Sequence, residues 1–82
     1  MKRVIILPAA AKSLRKHRSD AGRIIAKIEA YAADPATQAN NVKALSGSTA
    51  MRLRVGDYRV IFEETADEVI VTKIGPRGSV YD

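Results

Sequence analysis

The chain has 82 residues, with 14 Lys and Arg against 9 Asp and Glu, one His and no Cys. A chain of this length folds as one domain, residues 1–82, whose small core leaves no room for a separate cofactor domain. The absence of Cys excludes disulfides, iron–sulfur clusters and thiol nucleophiles, and it fits a reducing cytoplasm. The longest apolar run, residues 4–7, is too short for a membrane helix or a signal peptide. We therefore expect a small cytoplasmic domain with no membrane segment and no cofactor.

Positive charge is distributed unevenly along the chain, which carries a net charge of +5. Residues 1–33 hold eight basic and two acidic side chains, and residues 49–59 add three arginines against one aspartate. Acidic side chains concentrate at residues 63–68. Clustered Lys and Arg favour a polyanionic partner because binding releases condensed counterions, although basic residues also serve solubility alone. The polarised pattern favours a partner such as nucleic acid or an acidic protein.

The first predicted elements are a strand over residues 2–7 and a helix over residues 9–18. The strand is short and β-branched, and it is bounded by Pro8. Proline suits the first turn of a helix because the N–H that it lacks has no intrahelical partner there. Ala10 and Leu14 then recur at helical spacing, with basic residues between them.

A second helix follows after a very short turn. Ser19 and Asp20 offer a capping oxygen at its start. Asp34 ends the helix because it precedes Pro35, and the residue before proline avoids the helical region. The apolar face of this helix consists of Ile24, Ile25, Ile28, Tyr31 and Ala32. Together the two helices predict a helical hairpin.

The second half of the chain predicts a polar loop followed by three strands. Residues 36–41 are polar, and residues 42–45 form either a short turn of helix or an anchor for this loop. The spacing of apolar residues then changes from one every 3.6 residues to one every second residue, which is typical of strands with one buried face. The predicted strands cover residues 51–55, Tyr58–Glu64 and 68–74. Gly75 and Pro76 end the last strand, and residues 77–82 form a tail that could pair as one more.

The predicted element order is β-α-α-β-β-β, which indicates an α+β fold. The three late strands form an antiparallel meander, and the first strand joins it at an edge or in the centre. A single helical hairpin can cover only one face of such a sheet. The other face is therefore expected to be open.

Alternation along the strands decides which side chains the open face carries. If the apolar residues of strand 51–55 pack against the helices, Arg52 and Arg54 point to the opposite face. In the next two strands we expect Arg59, Ile61, Glu63, Val69, Val71 and Lys73 on the open face, and Tyr58, Val60, Phe62, Ile70 and Ile74 inside. Three arginines and a lysine then converge around a small apolar floor. The alternative is an ordinary solvated sheet surface.

The residue types on this face favour phosphate binding and RNA chemistry. A guanidinium binds phosphate oxygens bidentately and stacks on unpaired bases. The chain has no Gly-rich phosphate loop and no Ser-His-Asp set, and a metal site is not expected from one His without Cys. His17 lies on a basic helix and is interpreted as a surface residue. RNA cleavage by the substrate's own 2′-hydroxyl needs only positioning, charge stabilisation and proton transfer, which arginines and a tyrosine such as Tyr81 can supply.

Several segments together resemble the RelE/ParE superfamily of toxins from bacterial type II toxin–antitoxin modules. The most specific is RLRVGDYRVIF at residues 52–62, and IGPRGSVY at residues 74–81 accompanies it. PAAAKSL at residues 8–14 and LSG at residues 45–47 fit the same pattern, as does the order of elements. The resemblance spans nearly the whole chain but does not separate the branches of the superfamily.

The resemblance implies a RelE-like fold, with a helical hairpin on a twisted antiparallel sheet. RelE-type members cut mRNA in the ribosomal A site, whereas ParE-type members inhibit DNA gyrase without nuclease chemistry. Both are neutralised by a cognate antitoxin, often through an acidic segment and in a toxin–antitoxin hetero-oligomer. We expect a ribosome-dependent mRNA endonuclease, with the gyrase inhibitor as the alternative, and an inactive or purely binding member as a third reading.

The resemblance also implies roles for individual residues. Arg52 and Arg54 match residues that hold RNA phosphates, and we add Lys73 to this RNA-binding set. Arg59 matches the arginine assigned to transition-state charge, Arg77 falls in the later basic motif, and Tyr81 matches the tyrosine of proton transfer or base stacking. The predicted catalytic residues are thus Arg59, Arg77 and Tyr81. Many relatives have further basic residues on either side of the arginine in the last motif, where this chain has proline and glycine.

Overall fold

Helices cover one face of a five-stranded sheet and leave the other face open. The computed structural model describes residues 1–45, 47 and 49–78. Its elements are β1 (Arg3–Ile6), α1 (Pro8–Lys16), α2 (Arg18–Ala33), a 3₁₀ helix (Pro35–Asn41), β2 (Val42–Ala44), β3 (Met51–Val55), β4 (Tyr58–Glu64) and β5 (Glu68–Pro76). The predicted α+β class and the helical hairpin are confirmed.

The sheet has the strand order β1-β5-β4-β3-β2. Strands β2 to β5 are antiparallel neighbours, whereas β1 lies at an edge and runs parallel to β5. The predicted antiparallel meander is confirmed, and β1 takes an edge, one of its two predicted positions, where its pairing is parallel. A parallel pair needs a long crossover, and almost the whole chain between β1 and β5 provides it.

The helical hairpin begins and ends close to its predicted bounds. Pro8 is the first residue of α1, and a single residue, His17, links α1 to α2. The predicted cap at Ser19 and Asp20 was wrong, because both residues lie inside the first turn of α2, and His17 precedes the helix without a side-chain cap. At the other end Asp34 terminates α2 as predicted, and its carboxylate accepts a hydrogen bond from the Ala36 N–H at 3.2 Å.

The segment after α2 has more regular structure than the sequence predicted. The Asp34 carboxylate caps a 3₁₀ helix, Pro35–Asn41, where a polar loop was expected. Residues 42–44 form strand β2 instead of a turn of helix or a loop anchor, since Val42 pairs with Leu53 and packs against the core. A three-residue strand at a sheet edge is too short to show an alternating pattern, so its sequence carries no strand signal.

The core lies between the helices and the inner face of the sheet. Its buried residues are Ala10, Ile24, Ile28, Tyr31, Ala32, Leu53, Val55, Val60, Phe62, Val69, Val71 and Ile74. The Tyr31 and Phe62 rings pack at a centroid distance of 5.0 Å and tie α2 to β4. The predicted core face of α2 is confirmed except for Ile25, which is 38% exposed.

A β-bulge decides which residues of β5 face inward. The pairing of β4 with β5 shifts between Ile61 and Phe62, because Ile61 lies opposite Lys73 and Phe62 lies opposite Val71. Thr72 is the extra residue, and its hydroxyl donates a hydrogen bond to the Ile61 carbonyl at 3.2 Å. An inserted residue reverses the alternation of side chains beyond it.

This reversal explains a correction to the predicted faces of β5. Val69 and Val71 are buried in the core, and Ile70 lies on the open face, opposite to expectation. The assignments of Lys73 to the open face and of Ile74 to the core are confirmed, because both residues lie beyond the bulge. A single alternating pattern along the whole strand cannot describe both halves.

Within the described part of the chain, neither helix has the length and apolar character that crossing a membrane requires.

Candidate nucleic-acid interface

The open face of the sheet carries a cluster of basic side chains on neighbouring strands. Residues 51, 53 and 55 pack on the core side of β3, so Arg52 and Arg54 lie on the open face as predicted. Arg54 is directly opposite Arg59 of β4, and Lys43 of β2 is directly opposite Arg52. Like charges at directly opposite positions destabilise a sheet. The opposed Arg54 and Arg59 therefore favour an anionic ligand as the reason for the arrangement.

These side chains line a cleft of about 90 Å³, here called the arginine cleft. Its lining residues are Asn40, Asn41, Lys43, Arg52, Arg54 and Arg59. None of these described lining residues is acidic. The predicted RNA-binding residues Arg52 and Arg54 are thus brought together with the predicted catalytic residue Arg59.

Three lining residues of the arginine cleft were missed by the sequence analysis. Asn40 and Asn41 were interpreted as a loop, and Lys43 as part of a turn. They reach the cleft because the 3₁₀ helix leads directly into β2, which pairs with β3. The only available signal was the position of Lys43 between two apolar residues, a pattern too short to predict a strand.

Arg59 is held by the backbone of its own hairpin turn. Only 9% of the residue is exposed, and its Nη1 donates to the carbonyl oxygens of Gly56 at 3.2 Å and Tyr58 at 3.0 Å. Both bonds use one nitrogen, so the donors on Nε and Nη2 are left for an anion. A guanidinium held in this way is pre-organised, which raises its value for stabilising developing charge.

The turn that holds Arg59 is in turn fixed to the helical hairpin. The Tyr58 hydroxyl donates to Asp20 Oδ2 at 2.7 Å, and it lies 3.3 Å from His17 Nδ1. The Tyr58 and His17 rings meet edge to face. Gly56 has φ of +57°, in the left-handed region that favours glycine, and a Cβ there would lie 3.4 Å from the Arg23 guanidinium. The helix turn and the strand turn therefore form one unit.

The contacts of Tyr58 keep its hydroxyl protonated, so it does not act as a base at neutral pH. Its hydrogen bond to Asp20 raises the pKa of the Tyr58 hydroxyl, because ionisation would bring a second negative charge beside the carboxylate. His17, interpreted from the sequence as a surface residue, is half-buried against this tyrosine. Both residues thus serve to hold the turn.

The remaining predicted site residues lie around the arginine cleft and not in its lining. Lys73 is exposed on the open face, and Ile61 separates it from Arg52 in the cross-strand row. Arg77 is exposed just beyond β5, and its N–H donates to the Asp57 carbonyl at 2.7 Å, so it lies at the Arg59 end of the sheet. Tyr81 lies outside the described residues, and its predicted role stays a prediction.

At the opposite end of the sheet the basic side chains are paired with carboxylates. Lys2 Nζ lies 2.6 Å from Glu64 Oε2, and Arg3 Nη2 lies 2.6 Å from Glu68 Oε2. The Tyr31 hydroxyl donates to Glu64 Oε1 at 2.5 Å. Burial, reinforced by the neighbouring Glu64, raises the pKa of Tyr31 to about 12. Partial burial acts to raise the pKa of Glu64, but the hydrogen bonds from Lys2 and Tyr31 lower it overall.

Over the described ranges, no group of three or more His, Asp and Glu residues is placed to hold a metal ion.

The fold is that of RelE toxins in solved toxin–antitoxin complexes. The archaeal RelE–RelB complex from Pyrococcus horikoshii OT3 contains a chain with 26% identity and a TM-score of 0.77, covering 96% of this chain and 98% of that one. A chain of the RelB–RelE complex from Methanococcus jannaschii has 27% identity and a TM-score of 0.70, with 95% of each chain covered. The RelBE2 complex from Mycobacterium tuberculosis, at 20% identity and a TM-score of 0.64, covers 93% of this chain and 98% of that chain and supports the fold alone.

Sequence comparison identifies the family. The family described as "ParE toxin of type II toxin-antitoxin system, parDE" matches residues 4–81. The chain therefore belongs to the ParE toxin family, within the RelE/ParE superfamily of type II toxins. No curated protein gives a significant sequence match.

Proposed function

We propose that this toxin is a metal-independent endoribonuclease that cleaves mRNA on the ribosome. The observation that carries the proposal is the arginine cleft, in which Arg54 lies opposite Arg59 and Lys43 lies opposite Arg52 with no acidic residue in the described lining. Such an arrangement is costly for a sheet unless a polyanion binds there. Its guanidinium groups match the geometry of a phosphodiester.

The proposed reaction is an internal transesterification. The ribose 2′-oxygen bonds to the adjacent phosphorus and the bond from phosphorus to the 5′-oxygen breaks, leaving a 2′,3′-cyclic phosphate and a 5′-hydroxyl. One proton leaves the 2′-hydroxyl and one reaches the departing 5′-oxygen. The protein then has to align the attack and stabilise the additional negative charge on the phosphorus oxygens.

The proposed roles follow from position and exposure. Arg59, held by its turn carbonyls, stabilises the developing charge through the donors that it keeps. Arg52 and Arg54 hold the flanking phosphates, and Arg77 contributes a further positive charge at the same end of the sheet. In the arginine cleft none of the described lining residues is a carboxylate, a histidine or a tyrosine, so Tyr81 remains the proposed residue for proton transfer.

A cognate antitoxin is the proposed protein partner. Two of the similar solved chains come from complexes of RelE with RelB. This chain carries a net charge of +5, which complements an acidic antitoxin segment and would speed its association. We propose a toxin–antitoxin hetero-oligomer in which the antitoxin covers basic surface of the toxin.

The first test is primer extension on a defined mRNA in a purified translation system. We expect wild-type protein to cut only when ribosomes are present, and Arg59→Ala to lower the cutting rate by about 100-fold or more, in the range known for removing one pre-organised charge-stabilising donor. Arg15→Ala removes an exposed arginine of α1 and serves as the matched control, with cutting unchanged. Folded wild-type protein that leaves mRNA intact would contradict the proposal.

Gyrase inhibition is the second candidate function, and the ParE family match favours it. The residues expected to act are four of the exposed basic side chains of the helical hairpin, Lys12, Arg15, Lys16 and Arg23. A supercoiling assay with the same variants separates the two functions. Inhibition of gyrase that is lost in Arg15→Ala and kept in Arg59→Ala would place this toxin with the gyrase inhibitors.

A further inference from the structure

We propose that the protein has a second phosphate-binding site, which holds RNA beyond the arginine cleft. The site is a cavity of about 300 Å³ between α1 and the C-terminal part of β5, here called the lysine cavity. The inference rests on the proposed RNA-cleaving function and extends the bound segment of the substrate across the sheet.

The lysine cavity has the residue types that an anionic ligand requires. Its principal lining residues are Ser13, Lys16, His17, Lys73, Ile74 and Pro76. Two ammonium groups thus line the cavity over a small apolar floor, while the Ser13 hydroxyl donates to the Ala9 carbonyl at 3.3 Å and His17 Nδ1 lies 3.3 Å from the Tyr58 hydroxyl. No acidic residue is among the described residues that line it. Lysine binds phosphate as a point charge with three freely rotating donors, which suits a backbone contact that carries no base specificity.

The carboxylate closest in sequence is already engaged elsewhere. Asp20, three residues after His17, accepts hydrogen bonds from Tyr58 at 2.7 Å and from Arg23 at 3.3 Å. It therefore serves the turn that holds Arg59, and among the described residues neither Lys16 nor Lys73 forms an ion pair.

The cavity exists because β5 continues past its neighbour. Strand β1 ends at Ile6 and pairs with β5 only as far as Val71, whereas β5 runs to Pro76. The chain turns into α1 at Pro8 and passes beside this part of β5. The lysine cavity fills the position that a longer β1 would occupy.

Lys73 connects the lysine cavity to the arginine cleft. In the cross-strand row Lys43 lies opposite Arg52, Arg52 opposite Ile61, and Ile61 opposite Lys73. Neighbouring strands are about 4.8 Å apart, so this row spans roughly 14 Å. A few nucleotides of extended single strand bridge that distance. The row places basic side chains at both ends, and Ile61 between them is only 7% exposed.

The test measures binding of a fluorescent 2′-O-methyl RNA hexanucleotide by anisotropy at several salt concentrations. This RNA lacks the attacking hydroxyl and cannot be cleaved. Lys16→Ala and Lys73→Ala are each expected to weaken binding and to reduce the slope of log K against log salt by about 0.7, the value for one phosphate contact of a single strand. Lys27→Ala, which removes an exposed lysine of α2 outside the cavity, is expected to keep the wild-type slope.

Other outcomes overturn the inference in distinguishable ways. Equal slopes for all three variants and wild type would show that the cavity binds no phosphate, as would wild-type protein that fails to bind the RNA at low salt. If Lys16→Ala and Lys73→Ala instead lose affinity only for an acidic peptide such as polyglutamate, the cavity is a protein-binding site. RNA binding with the expected slopes but no cleavage in the translation system would contradict the nuclease proposal and leave the second site standing.

Discussion

The two ends of the sheet surround their basic side chains differently. At one end Lys2 and Arg3 each lie 2.6 Å from a carboxylate, and the Tyr31 hydroxyl completes the Lys2–Glu64 group. At the other end Arg54 is set directly against Arg59. The ion-paired end contributes to the stability of the fold, whereas the opposed Arg54 and Arg59 reduce it. Basic side chains that weaken their own sheet are therefore the better guide to function.

Replacing one arginine of the arginine cleft by a carboxylate tests this comparison of the two ends, and it has the largest expected effect. Arg54→Glu creates an opposite-charge pair with Arg59, which we expect to raise the free energy of unfolding by about 0.5–1 kcal/mol. The same change occupies the Arg59 guanidinium and repels phosphate, so cleavage should fall by about 100-fold or more. Urea denaturation and primer extension on one preparation measure both effects. A variant that is more stable and equally active would contradict our reading of the cleft.

Removing the shared carboxylate tests the paired end. Glu64→Gln leaves Lys2 without its counter-charge and weakens the bond from Tyr31, so we expect the free energy of unfolding to fall by about 1–3 kcal/mol at neutral pH. Cleavage by the protein that remains folded should not change. Thermal unfolding with an activity assay well below the melting temperature separates the two readouts.

The same variant has a defined pH signature. The pKa of Glu64 is lower in the folded than in the unfolded chain, so its contribution is present above the usual value near 4.5 and is lost as pH falls below it. The pKa of Tyr31 is raised to about 12, so the stability that depends on its neutral form is lost as pH rises between 10 and 12. Unfolding curves from pH 3 to 7 should be flatter for Glu64→Gln than for wild type. If wild type and Glu64→Gln lose stability equally as the pH falls, Glu64 is not the source of the acid dependence.

The smallest effect is expected at the exposed ion pair. The Arg3 side chain is 75% exposed, so its attraction to Glu68 is largely screened by water. Arg3→Ala should change the free energy of unfolding by no more than about 0.5 kcal/mol and leave cleavage intact. A large loss of activity in this variant would show that RNA contacts extend along the whole open face.

Much of the fold was predictable because long elements carry clear periodic patterns. The helical hairpin, strands β3 and β4, and the open-face position of Arg52, Arg54 and Arg59 follow from spacing alone. Strand β2 was not predictable, because three residues cannot show a period and its pairing with β3 is a tertiary effect. Lys43 was missed for the same reason, although it lies opposite Arg52.

Two other features depend on geometry that a sequence does not display. The bulge at Thr72 exchanges the faces of Ile70 and Val71, because only pairing with β4 reveals the inserted residue. The lysine cavity joins Lys16 to Lys73, which are far apart in the chain. Lys16 and Lys73 come together because β1 ends at Ile6 and leaves the C-terminal part of β5 beside α1.

The arginine cleft is assembled over a short stretch of chain. All of its described lining residues fall between Asn40 and Arg59, on a 3₁₀ helix and three successive antiparallel strands. The basic side chains of the helical hairpin belong to a separate stretch, residues 12–27. The two stretches meet where Tyr58 bonds to Asp20 and Gly56 approaches Arg23, so substitutions away from this junction can accumulate in one stretch without altering the other. A superfamily built in this way could exchange one target for another while the shared core stays the same.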